Sequence, residues 1–247
     1  MIIIEDLVRR FGAFTAVGGI SLRVSKGEVL GFLGPNGAGK STTMKMITGF
    51  LAPSEGRISV CGHDVVEQQF EAQSVIGYLP EGAPAYPDMT PVQFLGFIAR
   101  VRGLKEEAAA KAIETAIART GLQSVLEQRI ETLSKGFKRR VGLAQAILHD
   151  PPVLIMDEPT DGLDPNQKMA VRNLIRNMSA NKAIIISTHI LEEVDAVCSR
   201  AVIIDKGRIV ADGTPAELLA KSPTRRLEDV FRSLTTPDTE IKAEGVA

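Results

Sequence analysis

Short apolar runs and segments of helical spacing alternate along this chain. Period-two alternation or continuous apolar character predicts strands at residues 2–4, 16–24, 29–33, 57–61, 75–79, 153–158, 183–187, 201–205 and 208–211. Strands that alternate with helices favour an α/β fold with a mainly parallel sheet covered on both faces. We also expect an antiparallel part at the N-terminus.

A helical lobe is predicted within this core. No strand signal occurs between residues 82 and about 121, and residues 105–119 are rich in Ala, Glu and Lys, which favour helices. We therefore expect a lobe at about residues 82–149 and a core formed by residues 1–81 and 150–213. Several apolar positions of the lobe fall near helical spacing, and they belong either to the core of the lobe or to a groove for a partner. These positions are Phe94, Leu95, Phe97, Ile98 and Val101.

Other helical segments follow the strands. They are predicted at residues 41–47, 138–148, 166–178, 215–221 and 225–234. Ser134 is well placed as an N-cap for the second of these. The last two form a C-terminal part at about residues 214–235, and residues 236–247 are expected to be a mobile tail.

Composition narrows the function classes. The 247 residues carry a formal net charge of −1, which gives no general attraction to nucleic acid. Cys61 and Cys198 lie far apart and in no CxxC pair, so neither a disulfide framework nor a zinc site is expected, and a reducing cytosol suits them. No apolar run is long enough to span a bilayer. If the protein works at a membrane, we expect another chain to hold it there.

The clearest chemical motif is a glycine-rich loop between an apolar strand and a helix. It matches GxxxxGK[ST] and consists of Gly34, Pro35, Asn36, Gly37, Ala38, Gly39, Lys40 and Ser41. Its glycines allow the backbone to wrap a triphosphate closely. Lys40 is then expected to reach the outer phosphates and Ser41 to bind Mg²⁺, while the N-terminus of the next helix favours an anion.

Acidic and histidine side chains follow other predicted strands. Glu81, Asp157, Glu158 and His189 each come after a strand, and ligands bind at that edge of a parallel sheet. Asp157 fits the acid that holds Mg²⁺, and Glu158 is placed to deprotonate an attacking water. His189 fits a contact with the γ-phosphate, whereas His63 and His149 are read as ordinary histidines. Phe11 and Phe14 are either adenine-stacking or core aromatics.

These motifs carry a family resemblance. The stretches GPNGAGKS, LSKGF, VLIMDEPTDGLDP and STH occur in this order. From about residue 3 to residue 219 the chain resembles the nucleotide-binding subunits of ATP-binding cassette (ABC) transporters, and its GYLPE and LSKG variants are similar to ABC-2 type exporters. The resemblance implies a RecA-like P-loop NTPase core, an antiparallel β subdomain and an inserted helical subdomain.

The resemblance also implies a head-to-tail dimer that sandwiches two ATP molecules. Each ATP would lie between the phosphate loop of one copy and Ser134, Lys135 and Gly136 of the other, with Asp164 exchanged across the interface. Phe11 would stack on adenine, and Val17 and Thr42 would be further nucleotide contacts. Ser41, Glu81 and Asp157 would hold Mg²⁺.

Two positions depart from the family pattern. Glu81 stands where most members have glutamine, and we expect it still to sense Mg²⁺ and the γ-phosphate. In the signature, Lys135 replaces a glycine and Phe137 a glutamine. Lys135 either adds positive charge near the opposed phosphates or points to solvent.

Two functions fit these features. The first is an ATPase subunit that forms a homodimer at the cytoplasmic face of the cell membrane and energises separate polytopic membrane subunits, with no nucleic-acid partner. The alternative is a soluble nucleotide-gated clamp on nucleic acid or ribosomes. Near-neutral charge and the lack of a basic arm argue against the clamp.

Overall fold

The computed structural model describes residues 1–222 and 224–235. The strands are β1 (Ile2–Phe11), β2 (Phe14–Val24), β3 (Val29–Leu33), β4 (Glu55–Val60), β5 (His63–Asp64), β6 (Ile76–Leu79), β7 (Val153–Asp157), β8 (Ala183–Thr188), β9 (Arg200–Asp205) and β10 (Arg208–Gly213). The helices are α1 (Lys40–Ile47), α2 (Gln69–Ser74), α3 (Pro91–Val101), α4 (Glu106–Thr120), α5 (Lys135–Ile147), α6 (Pro165–Ser179), α7 (Leu191–Val197), α8 (Pro215–Leu219) and α9 (Leu227–Leu234).

The strands form two sheets. One is antiparallel with the order β2-β1-β4-β5. The other has the order β10-β9-β3-β8-β7-β6, in which only the edge strand β10 runs antiparallel to its neighbour. The predicted α/β class, the parallel sheet and the antiparallel N-terminal part are therefore confirmed.

The first helix is packed between the two sheets. Met44 and Ile47 of α1 are buried with Phe32 of β3, Ile4 of β1 and Ile58 of β4. The opposite face of the parallel sheet is buried against α5, α6 and α7. Because the strands are covered on both sides, they appear in the sequence as continuous apolar runs.

The segment between β6 and β7 is helical, as the sequence predicts. Within it α3, α4 and α5 pack on one another. Thr90 caps α3 in a capping box with Gln93, and Pro91 occupies the first turn. Phe94 and Leu95 are buried in this layer, whereas Val101 is 66% exposed. The core interpretation therefore holds for Phe94 and Leu95, whereas Val101 lies outside the core.

Several element bounds differ from the prediction. Helix α5 begins at Lys135 rather than at residue 138, because Ser134 Oγ accepts a hydrogen bond from the Phe137 amide at 3.3 Å. Strands β1 and β2 continue until Phe11 pairs with Phe14. The elements β5 and α2 were not predicted, since both are short and largely polar.

Two further predictions concern the tail and the membrane. The tail proposed at residues 236–247 lies outside the described residues. Within residues 1–222 and 224–235, no helix has the length and apolar character needed to cross a bilayer.

Candidate active site

The phosphate loop connects β3 to α1 and is packed closely against neighbouring backbone. Gly39 has φ of 105°, and a Cβ there would lie 2.5 Å from the carbonyl oxygen of Ala16. A Cβ on Gly34 would lie 2.5 Å from the carbonyl oxygen of Ile204. At Gly37, with φ of 80°, the space for a Cβ is open. Two of the three glycines are thus required by close contacts within the fold, and Gly37 faces open space.

Lys40 lies at the centre of this loop. Its Nζ donates hydrogen bonds to the carbonyl oxygens of Gly34, at 2.7 Å, and Pro35, at 3.0 Å. The side chain is buried, which lowers the pKa of Lys40, while the carboxylates of Glu158, Asp157 and Glu81 raise that pKa. Three acidic side chains that follow two other strands therefore oppose, through their negative charge, the effect of burial on the pKa of the Lys40 ammonium group.

Ser41 and Thr42 lie beside Lys40 in the first turn of α1, and both are half-buried. Glu81 is exposed just beyond β6. The hydroxyls are therefore held on a helix, whereas Glu81 belongs to the loop that enters the helical segment.

Asp157 and Glu158 meet residues of the neighbouring strand β8. Asp157 is 2% exposed, and its Oδ1 accepts a hydrogen bond from Ser187 Oγ. Glu158 Oε1 lies 2.8 Å from Nδ1 of His189, which follows β8. The parallel register pairs Asp157 with Ser187, so it also brings Glu158 close to His189.

The LSKGF stretch packs against the start of α6. Gly136 is buried, and a Cβ there would lie 2.5 Å from Gln167 Oε1. The exposed Lys135 side chain lies along Gly162, and the Lys135 Cδ is 3.6 Å from the position that a Cβ on Gly162 would occupy. Asp164 Oδ1 caps α6 by accepting a hydrogen bond from the Gln167 amide at 2.9 Å. Lys135, Gly136 and Asp164, which are proposed for the opposed nucleotide, therefore lie close together at the start of α6.

Two predicted nucleotide contacts lie on the antiparallel sheet. Phe11 is 47% exposed, with the guanidinium of Arg9 4.5 Å above its ring, and Phe14 is 63% exposed. The core interpretation of these aromatics is therefore wrong, because both rings face outward. Val17 has no exposed surface, and its Cγ2 lies 3.4 Å from the position of a Cβ on Gly39. It supports the phosphate loop from within the fold.

The other histidines lie away from this edge. His63 belongs to β5. His149 is half-buried, with Nε2 3.2 Å from the carbonyl oxygen of Ile76, and burial lowers its pKa to about 4.

The predicted site residues do not include Arg139 and Ser187, which both contact the Asp157–Glu158 segment. Arg139 is only 5% exposed and contacts the backbone of the Asp157 and Glu158 segment. The sequence does contain a signal for Arg139. It lies about one helical turn after Gly136 and one before Gly142, so the three residues share one face of α5, and that face is buried. Ser187 carries no comparable signal, because a serine in a buried strand is equally compatible with simple packing.

Comparison with known proteins gives a consistent result. The family model described as ABC transporter matches residues 17–161. Nod factor export ATP-binding protein I of Paraburkholderia xenovorans is 37% identical over 87% of this chain and 71% of its own length. Linearmycin resistance ATP-binding protein LnrL of Bacillus subtilis is 37% identical over 88% of this chain and 70% of its own length.

Solved structures share the fold. An ATP-binding subunit of an ABC transporter is 30% identical, with a TM-score of 0.87 over 95% of this chain and 99% of that one. The dimeric bacterial ABC transporter cassette MJ0796 is 20% identical, with a TM-score of 0.80 over 87% of this chain and 98% of that one. The chain therefore belongs to the ABC transporter family and carries its ATPase domain.

Proposed function

We propose that this chain is the ATP-hydrolysing subunit of an ABC exporter, located at the cytoplasmic face of the cell membrane. One observation carries the proposal: Lys40, Asp157, Glu158 and His189 lie at one edge of the parallel sheet. The names of the relatives, an export protein and a resistance protein, support export. They give no support to a clamp on nucleic acid or ribosomes.

Hydrolysis would use the acid and histidine that follow β7 and β8. Glu158 accepts a proton from the attacking water, and His189, 2.8 Å from Glu158, orients that carboxylate and contacts the γ-phosphate. Lys40 turns from the loop carbonyls to the outer phosphates. Phe11, exposed at the end of the β1–β2 hairpin, stacks on adenine. Val17 contributes indirectly by supporting Gly39, and Thr42 contacts the nucleotide from α1.

The oxygen donors at this edge fit Mg²⁺. Within residues 1–222 and 224–235 no three His, Cys, Asp or Glu side chains form a cluster able to hold a metal by themselves. Mg²⁺ at phosphates is usually bound by one or two carboxylates together with phosphate oxygens and water. Asp157, whose orientation Ser187 fixes, and Ser41 would hold the ion, and Glu81 would complete the set. The bound ion would neutralise charge on the phosphates.

The second half of each nucleotide site would come from another copy of this chain. Ser134, Lys135 and Gly136 begin α5, whose N-terminal amides favour an anion. Asp164 begins α6 beside them. ATP would draw this surface of one copy onto the phosphate loop of the other, and hydrolysis would release it. The MJ0796 cassette is dimeric, which supports the pairing of two copies.

A groove beside β6 is the proposed contact for the membrane subunits. It runs between β6 and the helical segment of about residues 82–149, and its lining includes Phe50, Tyr78, Ile98 and Gln145. The rings of Phe50 and Tyr78 lie 5.6 Å apart, and Phe50 is 71% exposed. A largely apolar groove with aromatic rings suits a short amphipathic segment of a partner.

Glu158→Gln tests the chemistry. We expect ATP binding to persist and turnover to fall by a factor of roughly 10² to 10⁴, which is the usual contribution of a general base. The variant should then accumulate as a stable ATP-bound dimer, which gel filtration would detect. Glu114→Gln removes an exposed carboxylate of α4 and is the matched control. Unimpaired hydrolysis in Glu158→Gln would refute the assignment of this base.

Co-purification tests the partner. The tagged chain should sediment with membranes together with a polytopic protein, and Phe50→Asp should reduce that association because it places a charge in the apolar groove. A wild-type chain that stays in the supernatant and purifies with ribosomes or nucleic acid would contradict the transport function.

A further inference from the structure

Arg139 is a buried cation that joins three segments. It lies on α5, downstream of Ser134, and is 5% exposed. Its guanidinium donates hydrogen bonds to the backbone carbonyl oxygens of Pro80 at 3.1 Å, Pro159 at 3.4 Å, and both Asp157 and Glu158. A guanidinium presents its donors in one rigid plane, so it fixes the relative positions of the groups that accept from it.

The accepting carbonyls belong to the segments that carry the acidic site residues. Pro80 follows β6 and precedes Glu81, while Asp157 ends β7 and is followed by Glu158. Arg139 therefore connects the end of β6 with the end of β7 from the side of the helical layer. Its burial would be costly without these bonds, because an unpaired buried charge is strongly unfavourable.

Glu158 needs such support because of its backbone conformation. Its φ is 50°, in the left-handed region that is strained for a non-glycine residue. The Glu158 amide donates to the carbonyl oxygen of Ser187 at 2.9 Å, and the Glu158 carbonyl oxygen accepts from the Asp161 amide at 3.1 Å. Arg139 adds bonds to the carbonyl oxygens of Asp157 and Glu158, which belong to the two peptide groups on either side of the Glu158 Cα.

We propose that Arg139 is a positioning residue for ATP hydrolysis, which holds the Asp157–Glu158 backbone so that the Glu158 carboxylate points at the attacking water. It touches neither the nucleotide nor the water and acts through Glu158. The inference rests on the proposed function, since it takes Glu158 as the general base. Arg139 on α5 would thus determine the position of the Glu158 carboxylate.

The expected effect is on the chemical step. Without the guanidinium, the Glu158 peptide relaxes from its left-handed conformation and the carboxylate moves. A displacement of about 1 Å can cost on the order of 10²-fold in rate. Lys40 and the phosphate loop keep their contacts, so Arg139→Met should lower kcat by about 10-fold to 100-fold and leave the KM for ATP within about twofold.

The matched control is Lys182→Met. Lys182 is another buried cation, 6% exposed, and its Nζ donates to the Pro151 carbonyl oxygen at 2.6 Å and to Asp150 at 2.7 Å. These bonds lie at the opposite end of β7 from Glu158. Both variants should lower the thermal midpoint, but only Arg139→Met should lower kcat strongly. An equal loss of kcat in the two variants would mean that Arg139 is merely structural.

Two further variants keep the test decisive. Arg139→Lys retains one ammonium donor and should recover part of kcat, which also covers the case in which Arg139→Met does not fold. In a Glu158→Gln background, Arg139→Met should reduce the single-turnover rate no further, because its effect passes through Glu158. If Arg139→Met lowered the rate by the same factor with and without Glu158→Gln, the inference would be overturned. If Glu158→Gln alone were fully active, the base assignment would fail instead, so the two failures are distinguishable.

Discussion

Gly39→Ala tests whether the phosphate loop is shaped by contacts within the fold. The alanine would have to adopt φ of 105°, and its Cβ would lie 2.5 Å from the Ala16 carbonyl oxygen and 3.4 Å from Val17 Cγ2. The Ala16 carbonyl belongs to the backbone of β2, where the neighbouring Thr15 and Val17 are paired with Arg10 and Arg9 of β1. It has little freedom to move away, so the substitution combines conformational strain with overpacking.

Gly37→Ala separates the two costs. Gly37 also has positive φ, 80°, but nothing lies within 4 Å of its Cβ position. The left-handed conformation alone costs an alanine about 1–2 kcal/mol. Overpacking adds about 1–3 kcal/mol at a site that cannot relax. We therefore expect Gly37→Ala to cost about 1–2 kcal/mol and Gly39→Ala about 2–5 kcal/mol of folding stability.

Thermal unfolding without nucleotide measures the difference. For a chain of this size 1 kcal/mol corresponds to about 2–4 °C in Tm. Gly39→Ala should therefore unfold at least about 2–4 °C below Gly37→Ala. Equal Tm values in the two variants would refute the reasoning, because they would mean that the approach of the Ala16 carbonyl does not select glycine at position 39.

Two other substitutions test the buried polar groups. Ser187→Ala removes the hydrogen bond to Asp157 Oδ1. The Mg²⁺ concentration for half-maximal ATPase activity should rise by about 10-fold to 100-fold, because Ser187 orients a proposed metal ligand. An unchanged Mg²⁺ dependence would contradict that role. Burial lowers the pKa of His149 to about 4 from 6.5, so the unfolded chain binds the extra proton and stability should decline as the pH falls from about 6.5 towards 4. Urea unfolding at pH 7.5 and pH 5 should show a smaller difference for His149→Gln than for the wild type.

Much of the core was predictable because its signals are local. The strands β3, β7 and β8 are buried on both faces, so each is a continuous apolar run, and the residues at their ends share one edge of the sheet. The phosphate loop follows from a short motif in its strand and helix context. The contact of Glu158 with His189 follows from the parallel register of β7 and β8.

The rest depends on tertiary contacts that no local pattern records. The short elements β5 and α2 lack enough apolar residues to show a period. The outward orientation of Phe11 is decided by the β1–β2 hairpin, where Phe11 pairs with Phe14. Val17, which was predicted as a nucleotide contact, has no exposed surface, and its Cγ2 lies 3.4 Å from the position of a Cβ on Gly39.

Helix α5 joins two parts of the proposed chemistry that belong to different nucleotide sites. Ser134 caps its first turn, where the proposed dimer would bind the phosphates of the second copy's ATP. Arg139, further along the same helix, holds the backbone of Glu158 in its own copy. A helix with a 1.5 Å rise per residue separates these positions by only about 7.5 Å. A shift of α5 as Ser134 engages ATP in one site would therefore reach the hydrolytic carboxylate of the other, so the two sites of such a dimer would not act independently.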